Sequence, residues 1–145
     1  MPRPLIPDTT ELIAAIRSPR PTFFDTIMHG QVWLSSVVAC ELYAGTRSQQ
    51  ERQLLDKLVR GAARAERLLI PTMNDWTMAG TLMARRVRLE GAIRPRDHLA
   101  DVLIVISAAR LGGEIATANR RHFLAWTALA QRAGLDVTVA SGVTY

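Results

Sequence analysis

Apolar residues fall along the chain in two alternating patterns. Short apolar runs read as buried strands, and longer stretches with apolar residues three and four apart read as helices. Leu5-Ile6 leads into Asp8 as a first short strand, although Pro4 and Pro7 remove ladder donors there. Val32-Trp33-Leu34, Leu68-Leu69-Ile70-Pro71, Ile115-Ala116-Thr117 and Val137-Thr138-Val139 are the other strand candidates. The first helix runs from Glu11 to Ile16, capped by Thr9 or Thr10 and stopped by Pro19 and Pro21. Ser35 or Ser36 opens the next, through Val37, Val38, Leu42 and Tyr43 to Gly45. Leu54, Leu55, Leu58 and Val59 mark an amphipathic helix. Asp75 caps a helix from Trp76 to Leu89 that ends at Gly91. Asp97 to Leu111 is a long apolar helix stopped by Gly112-Gly113, and Arg121 to Ala133 is one ended by Gly134.

Short apolar strands separated by helical stretches imply parallel βαβ units. The expected fold is α/β: a short parallel β-sheet of about four to five strands, flanked by α-helices in three layers. One domain over residues 1–145 is the matching expectation. In such sheets the binding crevice lies beyond the carboxyl ends of the strands. Polar residues just after strands are therefore the first candidates for a site.

Composition narrows the function. The chain has 145 residues and a formal charge of +5, and Lys57 is its only lysine among 18 basic residues. Arginine's planar fork suits phosphate, although an Arg-rich chain also follows from genome composition. A lone cysteine, Cys40, excludes an internal disulfide. His29, His98 and His122 have no paired spacing, so no zinc finger is expected. No apolar run approaches the length of a membrane span, and the first residues do not read as a secretory signal. A cytoplasmic protein with no membrane partner is the expectation.

Three acids interrupt apolar surroundings: Asp8 after the first strand, Glu41 in its helix, and Asp101 before Val102-Leu103-Ile104-Val105-Ile106. A buried carboxylate is neutralised or paired. Three converging ones repel each other, and a divalent ion relieves that, oxygen donors favouring Mg²⁺ or Mn²⁺. Simpler readings stand beside this one. Asp8 serves as an N-cap, Glu41 pairs with an arginine or faces solvent, and Asp101 caps its helix or is offset by Arg94 or Arg96. Asp97 has the stronger claim to plain capping.

The order Asp8-Thr9-Thr10, Leu34 to Gly45 with Glu41, Asp101-Val102-Leu103-Ile104, and Thr117-Ala118-Asn119 through Phe123 resembles PIN-domain ribonucleases. Within them it is most similar to VapC-like toxins of bacterial toxin–antitoxin pairs, over nearly the whole chain. The resemblance implies a parallel sheet flanked by helices and metal-dependent cleavage of RNA phosphodiesters. It implies catalytic roles for Asp8, Glu41, Asp101 and Asn119, the three acids holding Mg²⁺ (or Mn²⁺), with an activated water as nucleophile. Where the family often has Thr-x-Asp and a further Asp before Phe, this chain has Asn119 and His122. An RNA substrate, a cognate antitoxin and a homodimer are the implied partners. A catalytically weakened protein-binding module, or a nuclease or phosphatase acting on DNA or other phosphate esters, is the alternative.

Several side chains are assigned around that site. Ser35 and Ser36 cap the Glu41 helix, and Ser36, Arg120 and Arg121 are candidate phosphate contacts. Asp97 and His122 are secondary site candidates. Arg85, Arg86, Arg88, Arg94 and Arg96 form the densest basic stretch, with Arg85 and Arg88 read as a solvated face. Trp33, Trp76 and Trp126 read as core or interface groups. The helices with Leu54-Leu55-Leu58-Val59 and Met78-Leu82-Met83 are candidate dimer surfaces that core packing explains equally well.

Overall fold

The computed structural model describes residues 2–18, 25, 27 and 32–141. Pro19, Pro21 and His29 lie outside the described residues. Among the described residues, five strands alternate with six helices. In chain order these are β1 (Leu5–Pro7), α1 (Thr9–Arg17), β2 (Leu34–Ser35), α2 (Ser36–Ala44) and α3 (Gln49–Arg64). Then come β3 (Leu68–Leu69), α4 (Met73–Glu90), α5 (Pro95–Arg110), β4 (Glu114–Ala116), α6 (Arg120–Arg132) and β5 (Thr138–Val139).

Every strand pair is parallel, as the alternation predicts, but the strands form two ladders rather than one. β4 lies between β1 and β5, and β2 pairs with β3. A lone parallel bridge, Leu5 to Val32, connects the two ladders. Pro7 explains the break. The N–H of Asp8 donates to the Ala116 carbonyl at 2.9 Å, so even-numbered residues of this segment face β4. Odd-numbered residues face β2, where the N–H of Trp33 donates to the Leu5 carbonyl at 2.8 Å. Pro7 has no N–H to offer on that edge, and the ladder stops.

The helices pack in two groups, α1 with α2 and α3, and α4 with α5 and α6, with α2 also packed on α5. Val102 through Ala108 on α5 are all buried, which accounts for that helix's continuous apolar run. Phe123 and Trp126 from α6 and Ile6 and Ile115 from the central strands complete the core around it. Gly113 permits the closest approach. A Cβ there would lie 2.5 Å from Cδ1 of Ile6 and 3.0 Å from the carbonyl oxygen of Pro4. No helix among the described residues is long and apolar enough to cross a membrane.

The capping residues differ from the sequence reading at two helices, and at a third, α1, decide between its alternatives. Asp8, not Thr9 or Thr10, caps α1, because its extended backbone lets the carboxylate accept from the N–H of Glu11. Thr72, not Asp75, caps α4; Asp75 returns the bond to the Thr72 N–H, and the pair forms a capping box. α5 begins at Pro95 with no side-chain cap, so Asp97 sits inside its first turn and complements the helix dipole only.

Candidate active site

The register of β1 on β4 sets the site. Pro7 pairs with Ala116, so Asp8 and Thr117, the next residues, stand side by side at the carboxyl ends of the two strands. Oγ1 of Thr117 donates to Oδ2 of Asp8 at 2.6 Å. Oγ1 of Thr10 donates to Oδ1 at 2.6 Å, and the Glu11 N–H reaches the same oxygen at 3.1 Å. Both hydroxyls also accept: Thr10 from the Ala118 N–H at 3.2 Å, Thr117 from the Asn119 N–H at 2.9 Å. The loop after β4 is thereby stitched to the first turn of α1. Asp8 is buried and fully hydrogen-bonded, so its capping role and its site position coexist in one side chain.

Glu41 and Asp101 approach from two other helices. Oε1 of Glu41, on the exposed face of α2, accepts from Oγ1 of Thr9 at 2.8 Å. Thr9 adjoins Asp8, so that bond ties Glu41 to the rim of the strand end where Asp8 sits. Asp101, half-buried on α5, has no arginine partner among the described residues; Nε2 of His122 lies 2.8 Å from its Oδ2. Burial raises the Asp101 carboxyl above its ordinary range, and the field of Asp8 adds to this, while His122 and His98 pull it down.

The remaining candidates divide. Ser35 caps α2, accepting from the N–H groups of Val37 and Val38 at 3.2 and 3.4 Å, which leaves Ser36 as first helical residue on a groove wall beside Glu41. Asn119 caps α6 with its side chain unbonded and exposed. Arg121 lines a cavity with His122. Arg120 turns to the Ala140 carbonyl and ties α6 to the end of β5. Asp97 is exposed and makes no capping bond.

Two contributors went unread in the sequence: Thr10 as a positioning hydroxyl and His98. The His98 ring stacks on His122 with centroids 5.7 Å apart and stands edge-on to Trp126 at 5.5 Å. Its place three residues before Asp101 puts both on one helix face, the signal available in the sequence.

Asp8, Glu41 and Asp101 supply only oxygen donors, the chemistry a hard divalent ion takes. Each is held by hydroxyl, amide or imidazole groups, and among the described residues no three acids, cysteines or histidines close into a metal cage. The donor chemistry fits such an ion, whose charge would offset the burial that raises the Asp101 carboxyl.

A parallel α/β scaffold with a buried, hydrogen-bonded aspartate at its strand ends defines the class of protein. The PIN domain family model matches residues 5–126, and the chain belongs to that family. Sequence comparison with curated proteins gives no match. Among solved structures, FitAB bound to an IR36 DNA fragment is similar at 17% identity and TM-score 0.63, over 97% of this chain and 98% of that chain. FitAcB from Neisseria gonorrhoeae is similar at 18% identity and TM-score 0.61, over 94% and 96%. DNA-bound VapBC from Salmonella typhimurium follows at 21% identity and TM-score 0.60, over 85% and 91%. At these identities the likeness is one of fold.

Proposed function

We propose that this chain is a divalent-metal-dependent endoribonuclease and the toxin of a toxin–antitoxin pair. PIN-domain toxins are nucleases, and the solved structures it resembles are VapBC and FitAB assemblies. The observation that carries the reading is the buried, hydrogen-bonded Asp8 beside Thr117 at the strand ends of a PIN-family chain.

Asp8, Glu41 and Asp101 would hold Mg²⁺ (or Mn²⁺). When bound, such an ion supplies charge neutralisation and Lewis-acid activation to a phosphodiester. The chain's own residues do the positioning. Thr10 and Thr117 fix Asp8, Thr9 holds Glu41 at the rim, and His122 fixes Asp101. Asn119 presents an unbonded amide beside them. The active unit is the domain over residues 1–145, acting as a homodimer in the cytoplasm.

An antitoxin tail is assigned to the apolar groove that opens beside Glu41, about 440 Å³, walled by Val37, Cys40, Ile70, Trp76 and Leu103. Ile70 and Trp76 are exposed there, 59% and 46%, as a surface awaiting a partner is.

The test is cleavage of structured and unstructured RNA with Mg²⁺, Mn²⁺ or EDTA. Activity is expected with either metal and absent in EDTA, in Asp8→Asn and in Asp101→Asn. Equal cleavage by those variants and the parent would end the metal-nuclease assignment. Growth arrest relieved only by a neighbouring small reading frame would carry the toxin assignment. Tight protein binding without toxicity would favour a weakened binding module.

A further inference from the structure

Behind Asp101 lies a second cavity of about 290 Å³, lined by Arg86, Asn119, Arg121, His122 and Ala125. No carboxylate lines it, although the space on the other side of His122 is acidic. We propose that this cavity is a subsite for a backbone phosphate of single-stranded RNA, next along the strand from the phosphate at the Asp8–Asp101 site. The inference rests on the nuclease reading above and extends it to a named set of residues.

Arg86 is the built part of the subsite. Its Nε donates to Oε2 of Glu90 at 2.8 Å, and its guanidinium carbon sits 4.5 Å from the centre of the Trp126 ring. Its side chain is only 17% exposed, and its Nη1 is buried without a partner. A cation held on two sides loses little freedom when an anion arrives, which is how a preorganised site gains affinity. Glu90 is 56% exposed, so water screens much of the charge it sets against Arg86. Trp126 supplies a flat apolar support and no charge.

Arg121 adds a second fork from the first turn of α6. That helix has 13 residues and a cap whose side chain makes no bond to its amides, so its positive end is not offset by a capping side chain. Asn119 adds an amide. Two arginines, an amide and an open helix start match a phosphate's several acceptor oxygens. His122 is the shared wall: one edge binds Asp101 and its ring borders the cavity. A strand whose scissile phosphate lies at the acids would thus bring a neighbouring phosphate toward the arginines. An acidic segment of a partner protein has similar charge but lacks the regular spacing of phosphates, and the test separates the two.

The experiment is anisotropy of a 5′-labelled single-stranded RNA dodecamer in EDTA, across a salt series, so that binding is read without cleavage. Arg121→Gln is expected to weaken binding about fivefold to tenfold. It should also flatten the slope of log K against log salt by about 0.7, the share of one phosphate on a single strand. Arg86→Gln should do the same, with its melting temperature followed because it also packs on Trp126. Arg88→Gln, exposed and away from the cavity, should change neither quantity. Parent-like affinity and slope in Arg121→Gln would overturn the subsite, even with cleavage by the parent intact. So would loss of binding to a glutamate-rich peptide with RNA binding unchanged. If the parent cleaves no RNA while Arg121→Gln still loses the salt-dependent binding, the nuclease reading fails and the phosphate subsite stands.

Discussion

Nε2 of His122 lies 2.8 Å from Oδ2 of Asp101, at the position where the resemblance to VapC-like toxins leads one to expect another acid. The exchange replaces a negative group with an imidazole and leaves the pocket one charge poorer for holding a cation. His122→Asp should therefore tighten divalent binding. Adding one negative charge beside the ion near a surface is worth about one to two kcal/mol, so the half-saturating Mn²⁺ concentration should fall roughly tenfold. Calorimetric Mn²⁺ titration at fixed pH checks this, and an unchanged or weaker isotherm would show that His122 does not limit the site's charge.

The bond from Thr117 to Asp8 predicts a stability effect separate from catalysis. Asp8 is 4% exposed, and Thr117 is its only donor to Oδ2 among the described residues. Thr117→Val removes that donor while keeping the shape and leaves a buried carboxylate oxygen unsatisfied. The cost should be about 1–3 kcal/mol. Thr117→Ser keeps the hydroxyl and should retain most of the stability. Urea midpoints of the two variants decide the matter; equal midpoints would mean that the hydroxyl contributes nothing.

Much of this was legible because local signals agreed with the global fold. The alternation of apolar runs gave parallel strands and put Asp8 just past the carboxyl end of the first, where such folds bind ligands. The split of the sheet at Pro7 depends on which edge each N–H faces, a tertiary fact that the missing donor hinted at without locating. The partner of Asp101 was hidden for a similar reason. His122 lies 21 positions away on another helix, so helical spacing points to the nearer Arg94 and Arg96 instead. Arg120 and Arg121 read alike in sequence, but the rotation of about 100° between neighbouring helix positions sends the first to the Ala140 carbonyl and the second to a cavity.

Gly113 offers a test of the fold itself. It has no positive φ requirement; what it needs is space, since a Cβ would meet Ile6 at 2.5 Å and the Pro4 carbonyl at 3.0 Å. The side-chain methyl of Ile6 can shift, but the carbonyl is fixed because it accepts from the N–H of Glu114 at 2.8 Å. Gly113→Ala should push β4 from β1 and cost about 1–3 kcal/mol, the usual range for overpacking. Gly80→Ala, with nothing near its Cβ and in the middle of α4, should stabilise slightly instead. Thermal melts of the pair should move in opposite directions, and a neutral Gly113→Ala would refute the close approach.

The hydroxyl of Tyr43 donates to Oδ1 of Asp56 at 2.6 Å, joining α2 to α3. Burial raises its pKa above the ordinary 10.0, the bond and charge of Asp56 raise it further, and Arg52 and Arg60 lower it. The folded chain thus prefers the protonated phenol more than the unfolded chain does. The stability from that preference is complete below about pH 10, the unfolded value, and is lost as pH rises through the higher folded value. Tyr43→Phe removes the titration and the donor together. At pH 7 it should cost about 0.5–1.5 kcal/mol, the worth of one hydrogen bond. Above about pH 10 the gap between parent and variant should narrow, because the parent loses the same bond on ionisation. Unfolding free energies measured across this range give the answer, and a gap constant with pH would show that Tyr43 titrates no differently in the two states.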